Sequence, residues 1–250
     1  MTNKELLKEI IELKKEVQEL KGIKKKTVPQ ISTYSFSRIT DTILEKLVDI
    51  EKNYDRAVFD KWFNFKYEIN RDEAKFLSDL IEKNEPLIFN YHEEDLKANF
   101  IVPLINKVNF FMMKAKIRNF YHEPLIYKSK NFIFNGKVDL VVSRGLEKAK
   151  KPYFFIQEFK KGEEFGNPRP QLLAEMISAV ELNKIKSIRG AFIIGESWRF
   201  VILEKLGVDK YQYFVSKSFD ITDIEKLKKV YKHLQFVKDE IIQMVRNSKK

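Results

Sequence analysis

The stretch KPYFFIQEFKKG, residues 151–162, decides how this chain is to be read. Tyr153, Phe154, Phe155 and Ile156 form an apolar run of strand length, which ends in Glu158 and Lys160 on either side of Phe159. Side chains alternate across a strand, so Glu158 and Lys160 share one face while Phe159 turns into the core. An apolar strand that ends in two opposite charges on one face is either a solvated strand end or the edge of a site.

Upstream, KVDLVVS (residues 137–143) reads as a second strand, with Asp139 interrupting the apolar run of Val138, Leu140, Val141 and Val142. Asn135-Gly136 is a strong two-residue hairpin signal and is expected to join it to PLIYKSKNFIF, residues 124–134. A charged loop from Arg144 to Lys151 then leads into the third strand. Two strands that each break an apolar run with an acid predict that both acids converge on a cation. Hard oxygen donors in a chain without cysteine point to Mg²⁺ or Mn²⁺. Such an ion polarises a phosphoryl oxygen and acidifies its water, which a neighbouring lysine can orient.

The flanking segments complete an α/β pattern. HEEDLKANFIVPLINKV (residues 92–108) reads as a helix with Leu96, Phe100, Leu104, Ile105 and Val108 inward. At about 100° per residue, Glu93 lies roughly 30° from the centre of that stripe, Glu94 roughly 70°, and Asp95 opposite. NPRPQLLAEMISAVELNK (residues 167–184) is a second helix, with Pro170 suited to its first turn. Strands GAFIIGE, WRFVILEK and YQYFVSKSF follow, and a long helix over residues 223–245 closes the pattern. Before all this, residues 35–85 read as a helical region. Asn70 caps RDEAKFLSDLIEKN there, and Trp62, Phe63, Phe65 and Phe76 supply core.

Residues 1–22 read as a coiled-coil helix and residues 23–34 as a basic linker, with Gly22 between them. Leu6, Leu13 and Leu20 fall at heptad d positions and Ile10 and Val17 at a, with Glu9 and Glu16 at g and Lys14 and Lys21 at e. β-branched a residues with leucine at d favour a parallel pair of helices, so a homodimer is expected.

The hydrophobic share, 44%, is ordinary for a folded domain, and no run approaches the 18 apolar residues of a membrane span, so neither a signal peptide nor a membrane segment is expected. The absence of cysteine fits a reducing, cytoplasmic setting. A net charge of +11 reflects either a lysine-rich codon bias or a nucleic-acid footprint.

GKVDLVV, with Asp139 nineteen residues before Glu158 of QEFKKG, resembles the PD-(D/E)XK nuclease superfamily. From Tyr91 onward the chain is similar to a bacterial branch that carries this nuclease core. The resemblance implies a restriction-endonuclease-like mixed sheet flanked by helices over residues 86–250. It implies that Asp139 and Glu158 bind the metal and that Lys160 serves the attacking water. Val138 stands where the family's name has proline. An acid on the preceding helix often completes the family's site, which makes Glu93, with Glu94 second, a third metal ligand. Gln171 matches a glutamine that some branches carry on the following helix, with Glu175 in place of their tyrosine. Arg144 and Lys161 flank the strands and, with Gln171, are candidates to contact nucleic acid.

E-x-K by itself is common: it occurs at Glu12, Glu19, Glu73 and Glu158, and only the last closes an apolar strand. The expectation is a metal-dependent endonuclease acting on DNA. The alternative is a non-catalytic nucleic-acid-binding or dimeric interaction module of the same fold. The chain has no G-x-x-x-x-G-K-[ST] or G-x-S-x-G, and His92, His122 and His233 lack metal-ligand spacing.

Overall fold

The first helix carries an apolar stripe without burying it. In the computed structural model, which describes residues 3–20, 31–160 and 166–247, this helix is α1 (Asn3–Leu20). It lies in the first of two units, Met1–Ser32 and Thr33–Lys250. Leu6, Leu7, Ile10, Ile11, Leu13 and Val17 are all exposed. The side chain of Leu20, Gly22 and most of the expected linker lie outside the described residues.

The second unit takes in most of β1 (Ser32–Ser35), followed by α2 (Asp41–Leu47), β2 (Asp49–Lys52), α3 (Asp60–Phe63) and α4 (Arg71–Asn84). Asn70 caps α4 as expected, and Glu73 returns the bond to the Asn70 backbone in a capping box. Residues 35–85 are not only helical, however, since β2 joins the sheet, and β1, which also joins it, takes residues 32–34 of the expected linker. Neither has an apolar run: their sequences are STYS and DIEK, short segments at sheet margins.

The next helix is α5 (Glu93–Leu96), a π turn (Lys97–Ile101) and α6 (Val102–Val108) in continuous succession. Pro103 has no N–H to give to residue 99, and its ring crowds that carbonyl. The chain widens before it, and the Val102 N–H reaches back five residues to the Lys97 carbonyl. Then come β3 (Ile117–Lys128), β4 (Phe132–Arg144), β5 (Lys150–Lys160), α7 (Pro168–Asn183), β6 (Ser187–Ile194), β7 (Ser197–Gly207), β8 (Lys210–Val215), β9 (Phe219–Asp220) and α8 (Ile224–Asn247).

The strands form one nine-stranded mixed sheet, ordered β1-β4-β5-β6-β7-β8-β2, with β3 also on β4 and β9 on β7. The pairs β5–β6 and β2–β8 are parallel, whereas β3–β4, β4–β5, β6–β7 and β7–β8 are antiparallel. Both faces are covered, which is why the central strands read as continuous apolar runs. Leu140, Phe155, Ile193 and Phe200 enter a core shared with Trp62, Leu104, Leu234 and other residues of α3, α4, α6 and α8. Val141, Ile156, Phe192 and Val201 enter a second core with Leu44, Leu173 and Ile177 of α2 and α7. α7 is apolar on nearly every side, as befits a helix buried on most of its surface. A Cβ on Gly190 would come within 2.9 Å of the Ile156 carbonyl and the Met176 sulfur, so glycine sets the depth of this packing.

The expected Asn135-Gly136 turn is a correction. β4 runs straight through both residues, and the hairpin turns instead at residues 129–131. There Ser129 Oγ accepts from the N–H groups of Asn131 and Phe132. Gly136 answers a long-range demand: a Cβ there would lie 2.8 Å from the Phe36 ring, and its φ is +150°. Arg144, expected in a loop, ends β4, and Lys150 begins β5. No helix among the described residues is long and apolar enough to cross a membrane.

His233 stacks on Phe63 at 4.1 Å and is almost fully buried in α8. Burial, then Lys229 and Lys232, push its pKa from 6.5 down to about 3. The unfolded chain therefore binds a proton that the folded one refuses, and stability is lost as the pH falls from 6.5 towards 3. The expected loss is roughly 1.4 kcal/mol per pH unit in that window. Denaturant melts of His233→Phe against the native chain should show this component vanish; parallel pH profiles would exclude it.

Candidate active site at the divergence of β4 and β5

The site begins where a ladder ends. The last backbone rung between β4 and β5 is Leu140–Gln157. β3 occupies one edge of β4 from Ile133 to Arg144, so β1 and β5 share the other edge. β5 stays paired with β6 as far as Lys160–Ile194, and β4 parts from it. Side chains fill the gap. The Asp139 N–H donates to Glu158 Oε1 at 3.0 Å, and the Phe159 N–H donates to Asp139 Oδ2 at 3.1 Å. Each carboxylate satisfies the backbone of the opposite strand, which explains why acids interrupt both apolar runs.

Glu158 is fully buried, and its second oxygen accepts from Gln171 Nε2 at 2.7 Å. The same amide reaches Glu175 Oε1 at 3.2 Å, one turn further along α7. Glu175 is also fully buried, and its Oε2 has no hydrogen-bond partner among the described residues. Burial first, and the neighbouring Asp139 carboxylate second, push Glu158 from 4.5 up to about 8. Burial and then Glu158 raise Glu175 well above the carboxylate range. Both shifts favour the protonated form of the pair.

On the other side, α5 and the π turn bring a lysine into the acids. Lys97 Nζ lies 2.9 Å from Glu93, 3.2 Å from Glu94 and 3.4 Å from Asp139, with its side chain only 9% exposed. Burial acts to lower its pKa, but Asp139 and Glu93, then Glu94, outweigh it and hold the ammonium charged. Glu93 Oε2 meets Lys160 Nζ at 3.6 Å. His122 Nδ1 stands 3.9 Å from Asp139 Oδ1, on a residue whose φ of +50° interrupts β3 opposite Asp139.

The arrangement thus brings Asp139, Glu158, Glu93 and Lys160 around one strand junction. Glu93 is more enclosed than Glu94, at 30% against 75% side-chain exposure, in keeping with their angles to the apolar stripe. Gln171, expected to face nucleic acid, instead directs its amide inward to Glu158 and Glu175. Arg144 lies about 17 Å from Asp139 along β4, at five residues' remove. It lines a basic cleft of about 590 Å³ with Lys116, Lys148, Lys150 and Lys151. Lys161 lies outside the described residues. Sequence reasoning missed Lys97, His122 and Glu175. An i,i+4 Glu93–Lys97 pair was the only signal for the first, and it resembles any solvated helix face.

No protein-family model matches the chain, and no curated protein matches it either. Among the described residues, no three acidic or imidazole groups are arranged to close on one metal ion. The donor chemistry nonetheless fits a hard divalent cation: Asp139 and Glu158 are adjoining carboxylates, Glu158 is raised by burial and by Asp139, and a cation beside them offsets both causes.

The raised carboxyls keep protons that the unfolded chain has lost, so stability falls as pH rises from about 4.5. For Glu158 that fall runs to about 8. Glu175→Gln removes part of this burden. Without divalent cations, its melting temperature relative to the native chain should rise by about 3 °C or more per pH unit between pH 5 and 8. A difference independent of pH would show that Glu175 is not held protonated.

Proposed function

We propose that the chain is a metal-dependent nuclease of the PD-(D/E)XK kind, with a restriction-endonuclease-like core, hydrolysing phosphodiester bonds in DNA. The observation that carries this reading is the exchange of carboxylates for backbone rungs at the end of the β4–β5 ladder, with Lys160 two residues beyond Glu158. Asp139, Glu158 and Glu93 are the residues that would hold Mg²⁺ or Mn²⁺. A cation there would supply positive charge to the phosphoryl oxygen and acidify a bound water.

The chain's own groups divide the remaining work. Gln171 fixes the rotamer of Glu158 from α7, and the Phe159 N–H fixes Asp139. Lys160, at the rim beside Glu93, orients the attacking water. The cleft of Arg144, Lys116, Lys148, Lys150 and Lys151 lies along the same pair of strands and suits phosphates several positions from the scissile one.

Incubation with plasmid, single-stranded DNA and RNA, in Mg²⁺, Mn²⁺ or EDTA, tests the reading. Asp139→Ala and Lys160→Ala should each reduce cleavage at least about 100-fold while retaining most DNA affinity, since neither lies in the basic cleft. Full activity in either purified variant would sink the assignment. Binding by the native chain with no cleavage under any ion would favour the non-catalytic module.

The exposed Leu6, Ile10, Leu13 and Val17 of α1 support the parallel homodimer that the heptads, with Leu20, predict. Deleting residues 1–26 should convert a dimer to a folded monomer and weaken duplex cutting, because two tethered sites lose their effective concentration. Light scattering decides this: a full-length monomer at tens of micromolar excludes pairing.

A further inference from the structure

We infer that the Lys97 ammonium is the resident cation of the acidic site, standing where a divalent ion binds and displaced when one enters. The inference rests on the nuclease reading and deepens it, because it identifies the residue that sets the ion concentration at which the site loads.

Lysines four residues after a glutamate commonly form weak surface pairs. Lys97 differs in three respects. Its Nζ meets not one carboxylate but those of Glu93, Glu94 and Asp139, at 2.9, 3.2 and 3.4 Å. It is nearly buried, and it lies 5.5 Å from the centre of the Phe159 ring, which contributes a further attraction for a cation. Two of its three partners, Glu93 and Asp139, are residues assigned to the metal. A single ammonium therefore occupies one oxygen each of Glu93 and Asp139, two of the three residues that a divalent ion would use. Lys160 is placed otherwise, more exposed at 25%, and among the described residues its ion pair is with the second oxygen of Glu93, at 3.6 Å.

The surroundings allow displacement. A cavity of about 190 Å³ opens beside the ammonium, lined by Glu94, Lys97, Tyr121, His122, Asp139 and Phe159. A four-carbon stem can swing its head into such a space without moving the helix. Glu94, the most exposed of the three partners, can keep the ammonium paired after Asp139 has been given up. The site then exchanges one internal positive charge for two external ones. In the absence of the ion, the lysine prevents Glu93 and Asp139 from repelling one another.

The test is Mn²⁺ binding by the full-length protein, read from the resonance of free Mn²⁺, together with melting curves in EDTA, Mg²⁺ and Mn²⁺. Lys97→Met and Lys97→Gln should melt about 5–10 °C below the native chain in EDTA, recover most of that in Mn²⁺, and bind the ion about tenfold or more tightly. Lys97→Arg, which keeps the charge, should bind no more tightly than the native chain. Neutral variants that bind Mn²⁺ no more tightly than a native chain that does bind it overturn the inference and leave the nuclease reading intact. If neither the native chain nor the neutral variants bind Mn²⁺, and Asp139→Asn behaves identically, the metal reading itself fails. The native chain gives a readout independent of any variant's folding. Acylation of Lys97 by an amine-reactive reagent, followed by mass spectrometry, should be slow in EDTA and several-fold faster in saturating Mn²⁺. Protection unchanged by the ion overturns displacement.

Discussion

A β-ladder can end in solvent, in a turn, or in a change of partner, and the architecture of this protein depends on the third. β4 gives one edge to β3 along its whole length and divides the other between β1 and β5. At the division, the N–H groups of Asp139 and Phe159 would be left without partners inside a covered sheet. The carboxylates of Glu158 and Asp139 take them. A buried N–H without an acceptor costs about 1–3 kcal/mol, and two such groups would be a large fraction of a domain's net stability. The solution brings negative charge into the interior, and the rest of the site follows from accommodating it.

That accommodation comes from both helical layers. α7 is buried over most of its length, and it presents Gln171 and Glu175 to Glu158 within a single turn. The helix on the opposite face presents Lys97 and Glu93, and its π turn lies at the lysine. Each layer is anchored by a dense aromatic or aliphatic core, with Trp62, Phe63, Phe200 and His233 on one side and Leu173, Met176 and Phe192 on the other. Polar groups held between two close-packed surfaces have few alternative rotamers, which is what a site needs if geometry is to govern chemistry.

Much of this was legible in the sequence where local pattern and tertiary demand coincide. β5 announced itself by its apolar run, α4 by Asn70 and Glu73, and Asp139 and Glu158 by breaking runs that otherwise have no reason to break. The failures have one cause, dependence on distant residues. STYS and DIEK form strands because β4 and β8 offer them an edge, a relation no local window contains. Gly136 looked like a turn glycine but answers to the ring of Phe36, one hundred positions away. Lys97 looked like a solvated helix lysine until β4 brought Asp139 to it. Glu175 sits in a stretch whose apolar character concealed that one of its positions faces a buried acid.

The charge balance distinguishes this cluster from an ordinary structural ion-pair network. Glu93, Asp139, Glu158 and Glu175 are enclosed or partly enclosed, and the ammonium groups among them are Lys97 and Lys160. A network built only for stability tends towards matched charge, because each uncompensated buried carboxylate costs several kcal/mol. Here burial and the proximity of other acids raise Glu158 and Glu175 and so favour their protonated forms. Protons on carboxyls are exchangeable, and so is a lysine at the end of a flexible stem. In the proposed site both would give way to a denser positive charge, which hydrophobic replacements of similar volume could not do. Acids held in this way are costly to the folded state, and the cation site proposed above would account for that cost. The acids lie at a strand divergence because a continuous ladder would have satisfied the Asp139 and Phe159 N–H groups without them.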